Sequence, residues 1–236
     1  MTLNINKGKL YVVATPIGNL SDITFRAVDI LKKMSFILAE DTRESKKLLD
    51  KYDIKGQLVS YRDENHERVL EKIMEKLNMG LDLALISDSG TPLISDPGYK
   101  LVRYLREQEY EVISVPGPSA LISALSVSGL PTDRFVFLGF LPKSETRRER
   151  IISEYKDLHN SLIFYESPKR LLKLLNTLLE VLGDVNVFLA KDISKLREEY
   201  FYGTIFEVKE SLNEKDFAKN PHGEFVCIVE NLGKDN

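Results

Sequence analysis

The feature that most constrains this chain is a recurring unit, a short apolar, β-rich run that stops abruptly on a loop of proline and glycine. Leu10-Tyr11-Val12-Val13-Ala14 runs into Thr15-Pro16-Ile17-Gly18-Asn19, residues 81–86 into Ser87-Asp88-Ser89-Gly90-Thr91-Pro92, and Val112-Ile113-Ser114-Val115 into Pro116-Gly117-Pro118. Proline and glycine break strands and impose defined turns, so each unit reads as strand then loop. Two further strands read at Phe36-Ile37-Leu38-Ala39, ending on Glu40-Asp41-Thr42-Arg43, and at Leu58-Val59-Ser60-Tyr61. Between the runs lie helical patterns at residues 23–33, 45–51, 67–79 and 100–107, the first capped by Ser21 or Asp22. Strands apolar on both faces and alternating with helices predict a mostly parallel sheet covered on each side.

The second half is patterned differently. Residues 119–129 predict a small buried helix, and Phe135-Val136-Phe137-Leu138-Gly139-Phe140 opens an aromatic-rich strand set. A charged helix from Lys143, a strand at Leu162-Ile163-Phe164-Tyr165, a helix over 168–182, and strands at Val187-Phe188-Leu189-Ala190 and residues 225–229 follow. Several of these runs are separated by turns instead of helices, which predicts a mixed sheet. The expectation is an α/β protein with an N-terminal domain over 1–116, a C-terminal domain over 117–236, a hinge at Pro116-Gly117-Pro118 and an active site in the cleft between them.

Composition narrows the function. Hydrophobic residues make up 43% of the 236 and charged residues 29%, ordinary globular values. The formal charge of −3 requires any nucleic-acid binding to come from a local patch. A single cysteine, Cys227, leaves no disulfide framework within one chain and points to a reducing, cytoplasmic location. No apolar run approaches the ~18 residues of a membrane span, and nothing at the N-terminus resembles a signal peptide. Three scattered histidines offer no metal-ligand spacing, so no metal is expected.

The loops carry the chemistry. Open α/β sheets bind ligands beyond their strand carboxyl ends, so the three Gly/Pro loops are candidate walls of one pocket. Neither G-x-G-x-x-G nor G-x-x-x-x-G-K-[ST] occurs, which disfavours a dinucleotide or nucleoside triphosphate, and the absence of G-x-S-x-G gives covalent acyl chemistry no support. Carboxylates recur at strand ends as Glu40, Asp41, Asp88, Asp96 and Glu166. Basic residues cluster at Lys143, Arg147, Arg148 and Arg150 and again at Lys169, Arg170 and Lys173. Arg43 and Arg62 extend such a patch from the first half.

Taken together, residues 11–20, Ala39-Glu40-Asp41-Thr42-Arg43, residues 87–98, Pro116-Gly117-Pro118-Ser119-Ala120 and Phe164-Tyr165-Glu166-Ser167-Pro168-Lys169-Arg170 resemble the ribosomal RNA small subunit methyltransferase I family. Its members have the tetrapyrrole-methylase fold of class III methyltransferases. The resemblance implies S-adenosylmethionine as donor, the 2′-hydroxyl of a cytidine in small-subunit ribosomal RNA, naked or in the 30S subunit, as acceptor, and a homodimer. It places the donor at Pro16, Ile17, Gly18, Asp88, Ser89, Gly90, Thr91, Pro92, Ser119, Ala120 and Tyr165, with Gly223-Glu224-Phe225 closing over it. Asp41 and Arg43 stand on the acceptor side, Asp41 as base or substrate orienter, with Glu40, Glu166 and Lys191 in reserve. Arg43, Arg147, Arg148, Lys169 and Arg170 are the expected RNA contacts. The chain departs from the family at Ser89, where alanine is usual, and at Arg62-Asp63-Glu64-Asn65-His66, where histidines come earlier. It also ends soon after Val229, where many members continue into a small extra domain. Two other readings share the donor pocket: a methylase of tetrapyrrole precursors, and a non-enzymatic module that senses S-adenosylmethionine on the ribosome.

Overall fold

A computed structural model describes residues 7–233. The chain divides into two compact units, the first ending at Ser119 and the second beginning at Ala120.

In the first unit, strands β1 (Leu10–Val13), β2 (Phe36–Ala39), β3 (Gln57–Ser60), β4 (Leu83–Ile86) and β5 (Val112–Val115) form one sheet in the order β3-β2-β4-β1-β5. Every pairing is parallel. Helices α1 (Phe25–Lys33) and α2 (Thr42–Lys51) bury Ala27, Leu31, Leu48 and Leu49 against Val13, Ile37, Ala39 and Ile86 on one face. Helices α3 (His66–Asn78) and α4 (Tyr99–Glu107) bury Ile73, Leu77, Leu101 and Leu105 against Leu10, Leu38, Leu83 and Leu85 on the other. Both faces of the central sheet are therefore dry, which is why β2 and β4 read as continuous apolar runs and not as alternating ones. Helix α1 starts at Phe25 because Thr24 caps it, its hydroxyl accepting from Ala27 N–H at 3.1 Å. Ser21 and Asp22, the expected caps, lie in a preceding 3-10 turn.

The second unit holds β6 (Phe135–Phe140), β7 (Asn160–Glu166), β8 (Asn186–Lys191), β9 (Glu199–Thr204) and β10 (Phe225–Asn231) in the order β6-β7-β10-β8-β9. Only β6 and β7 run parallel, so the sheet is mixed. Helix α5 (Ala120–Val127) packs on Ile163, Phe188, Ala190, Val226 and Ile228. Helices α6 (Glu145–Ser153), α7 (Leu171–Leu182) and α8 (Ile205–Glu214) cover the opposite face, where Leu162, Phe164, Leu189, Cys227 and Val229 point. Strand β9 and helix α8 were not expected from the sequence. No described helix is long and apolar enough to cross a membrane.

Candidate active site at the strand ends of the first unit

Three loops meet beyond the carboxyl ends of β1, β4 and β5. The Thr15 N–H donates to the Gly90 carbonyl at 2.8 Å and the Gly90 N–H returns to the Thr15 carbonyl at 3.1 Å, an isolated antiparallel bridge. The buried Thr15 hydroxyl donates to the Ser87 carbonyl at 3.1 Å, and the Thr91 hydroxyl donates to the Pro118 carbonyl at 3.1 Å. The loops are thus stitched through main chain. Strands β1 and β4 are neighbours whose connections leave in opposite directions, β1 towards β2 and β4 towards β5. That is the topological switch point at which open α/β sheets take ligands.

The loop chemistry follows from backbone demands. Gly90 has φ +82°, and a Cβ there would sit 3.3 Å from Cγ2 of Ile17. Pro16, Ile17 and Pro92 are buried as a floor, while Gly18, Asp88 and Ser89 are exposed above it. Leu93 and Ser95 hold left-handed conformations at φ +73° and +67°, a strain that side-chain-bearing residues avoid unless the surroundings enforce it. Sequence reading missed those two, since nothing in their residue types announces a positive φ.

On the β2 side, Asp41 is the N-cap of α2. One of its carboxylate oxygens accepts from the Arg43 N–H at 2.8 Å and from Arg43 Nε at 3.2 Å, the other from Arg43 NH2 at 2.7 Å. The guanidinium holds this carboxyl well below the usual carboxylate range. Asp88 Oδ1 accepts from the Asp41 N–H at 2.9 Å, which ties the β2 loop to the β4 loop. Glu40 moves the other way, raised by burial and by the Asp88 charge. Asp96 is pushed up to about 6, chiefly by burial and then by the neighbouring Glu40 and Asp88, against an opposing hydrogen bond from Ser87.

In the second unit the Tyr165 hydroxyl accepts from the Leu121 N–H in the first turn of α5 at 3.1 Å. Gly223, at φ +95°, lets its segment lie against β8, for a Cβ would meet Asp192 Oδ2 at 2.8 Å. Asp192 N–H donates to the Glu224 carbonyl at 2.9 Å and Glu224 N–H donates to Asp192 Oδ1 at 3.1 Å. Phe225 is buried as the first residue of β10. Lys191 is buried, its Nζ 3.2 Å from His222 Nε2 and 3.5 Å from Glu199.

Three of the expected site residues are drawn inside and already partnered. Glu166 is 2% exposed, and its carboxylate accepts from the Ser167 N–H at 2.7 Å and Arg170 NH2 at 2.9 Å, a latch on the turn after β7. Arg170 is the other half of that latch and also donates to the Leu141 carbonyl. Arg148 is 3% exposed, its guanidinium donating to Thr177 Oγ1 at 3.1 Å and the Lys143 carbonyl at 3.0 Å. Arg147 and Lys169 remain exposed. Among the described residues the grouping with metal-ligand spacing is Glu145, Glu149 and Glu180, on the surface of α6 and α7.

The sequence matches the profile of the Tetrapyrrole (Corrin/Porphyrin) Methylases over residues 9–209. Solved structures share the fold: uroporphyrin-III-C-methyltransferase from Thermus thermophilus aligns with a TM-score of 0.62 at 19% identity over 96% of both chains. A cobalt precorrin-4 methyltransferase aligns with a TM-score of 0.66 at 13% identity over 94% of both. These set the class, an α/β protein of the tetrapyrrole-methylase fold. Much nearer in sequence is the Ribosomal RNA small subunit methyltransferase I of Thermotoga maritima, 44% identical over 94% of this chain and 98% of that protein. Its namesakes in Bacillus subtilis and Escherichia coli O157:H7 are each 42% identical, over 94% and 95% of this chain and 75% and 78% of theirs. The chain belongs to the ribosomal RNA small subunit methyltransferase I family.

Proposed function

We propose that this protein transfers a methyl group from S-adenosylmethionine to the ribose 2′-hydroxyl of a cytidine in small-subunit (16S) ribosomal RNA. The observation that carries the reading is the stitched loop cluster at the switch point of the first unit, in a chain 44% identical to a ribosomal RNA methyltransferase along nearly its whole length. When bound, S-adenosylmethionine supplies a methyl group already attached to a sulfonium leaving group. What this chain must add is placement: main-chain groups of Thr15 to Gly18 and Asp88 to Thr91 to hold the donor, and a surface to bring the hydroxyl in line. The cradle suits that role because a side chain at Gly90 would press on Ile17 and narrow it.

A ribose hydroxyl also needs a proton acceptor as its bond forms, and such a group works best with a pKa near the working pH. Asp41, locked to Arg43, has the properties of an orienter. Glu40 and Asp96, both raised, have those of an acceptor. We place the protein in the cytoplasm, as a homodimer of two 27.0 kDa chains, measurable by light scattering. The test of function is transfer of radiolabelled methyl to 30S subunits, and to naked 16S RNA, from a strain lacking this modification. Label in a cytidine ribose supports the reading; label only in a porphyrin precursor supplied in parallel, or none, overturns it.

A further inference from the structure

Resting on the reading above, we propose that Arg62 binds a phosphodiester of the acceptor RNA on the first unit, in place of Arg43. The two arginines differ in what their forks already hold. Arg43 closes on both oxygens of Asp41, so that cation is neutralised from within, although its side chain is 86% exposed. Arg62 is exposed too, yet only its Nε is engaged, with the Glu40 carbonyl at 3.3 Å. Its two terminal amino groups have no hydrogen-bond or ion-pair partner among the described residues.

Its anchorage is rigid. The preceding residue, Tyr61, is 1% exposed, with its N–H on the Ala39 carbonyl at 2.9 Å and its hydroxyl 2.9 Å from His66 Nδ1. The Arg62 N–H donates to Asn65 Oδ1 at 2.9 Å and its carbonyl accepts from the Asn65 N–H at 3.1 Å. The backbone is thus fixed on both sides, and the Nε bond aims the fork across the end of β2, so little ordering remains for a ligand to impose. Planar guanidinium groups match phosphate through paired N–H donors.

Position and charge choose the ligand. Arg62 follows β3, the edge strand, which is three places from β1 in the sheet order. At ~4.8 Å per strand that is about 14 Å from the β1 loop, outboard of the donor cradle and on the side of Glu40 and Asp41. The carboxylates on this side, Glu40, Asp41, Glu64 and Asp88, repel an RNA backbone, and against them stand Arg43, closed on Asp41, Lys100, whose Nζ donates to the Asp63 carbonyl at 3.1 Å, and Arg62, whose charge acts on Glu40 without a salt bridge to it. A phosphate can approach only where a cation is left to meet it, and Arg62, whose planar fork keeps both terminal amino groups open, is the cation here that can take a phosphate through paired donors.

The experiment compares binding of a 16S fragment by wild type, Arg62→Ala and Arg62→Lys across salt concentrations, with donor binding and thermal melting measured alongside. Losing one phosphate contact should flatten the log–log salt slope by about 0.7 and weaken RNA binding roughly tenfold at moderate salt. Arg62→Lys should keep the slope and regain part of the affinity. Donor affinity and melting should not change. An unchanged slope in Arg62→Ala, or a fall in donor affinity as large as that for RNA, overturns the inference. If wild type itself neither binds nor methylates the RNA, the functional reading falls first and this inference with it.

Discussion

Asp96 and Arg148 are both charged side chains drawn away from solvent, and the structure handles them in opposite ways. Asp96 lacks a cationic partner among its perturbing neighbours, which include Glu40 and Asp88, and its pKa is pushed from 3.8 to about 6. A folded-state pKa above the unfolded one means the native state holds a proton more tightly. Stability therefore falls as pH rises from about 4 to 6 and the deficit persists above that. Asp96→Asn should raise the stability at pH 7.5 by on the order of 1–2 kcal/mol after solvent screening of a half-buried group, read as a higher melting temperature, with no gain below pH 4. A gain that is equal at pH 4 and 7.5 would show that burial of the charge is not the cause. Arg148, by contrast, is fully partnered inside the second unit, so Arg148→Ala should cost roughly 2–4 kcal/mol of stability and leave the RNA salt slope alone. Arg147→Ala on the adjacent exposed position should do the reverse. The sequence shows two neighbouring arginines and no hint of which is inside, because helix α6 buries the side facing Thr177 and that choice is tertiary.

At the scale of elements, what was legible depended on whether a local signal existed. Strands β2 and β4 were read within two residues because both their faces are buried and the apolar run is uninterrupted, whereas β5, an edge strand with Ser114 exposed, was legible from the Pro116-Gly117-Pro118 stop that closes it. Strand β9 escaped because it lies at the sheet edge, where Tyr200 and Tyr202 are exposed and only Phe201 between them is buried among the side chains there. Helix α8 does carry a local signal, for Thr204 and Glu207 form a capping box, the Thr204 hydroxyl accepting from the Glu207 N–H while the Glu207 carboxylate accepts from the Thr204 N–H. The Gly/Pro loops were legible as a group, but their stitching was not, since the Thr15–Gly90 bridge joins residues distant in sequence. That stitching predicts how Gly90→Ala behaves. The new Cβ must sit at φ +82° and 3.3 Å from Ile17, which should cost about 1–3 kcal/mol and displace the Ser87 to Pro92 loop. Calorimetry should find donor affinity weakened along with the melting temperature; donor binding at wild-type strength would place the donor off this loop.

For the whole molecule, the division into a parallel sheet and a mixed sheet was visible in the change of rhythm near the middle of the chain, where helices stop separating every strand. The functional surface was less visible, because charge clusters in sequence do not say which cations stay free. Folding has removed Arg148 and Arg170 into the second unit and neutralised Arg43 on Asp41, in a chain whose formal charge is −3. Of the residues named as RNA contacts, Arg43, Arg62, Arg147, Arg148, Lys169 and Arg170, three are left exposed and without an ion pair among the described residues: Arg62, Arg147 and Lys169. Three phosphate contacts at ~0.7 each give an expected salt slope of about −2 on single-stranded RNA. Binding should then be modest and only moderately salt-sensitive, with specificity supplied by the cytidine site and the RNA's shape more than by bulk attraction. A measured slope near −5, equivalent to about seven phosphates, would require a basic surface well beyond these three side chains and would overturn this account of how a weakly acidic protein holds its RNA.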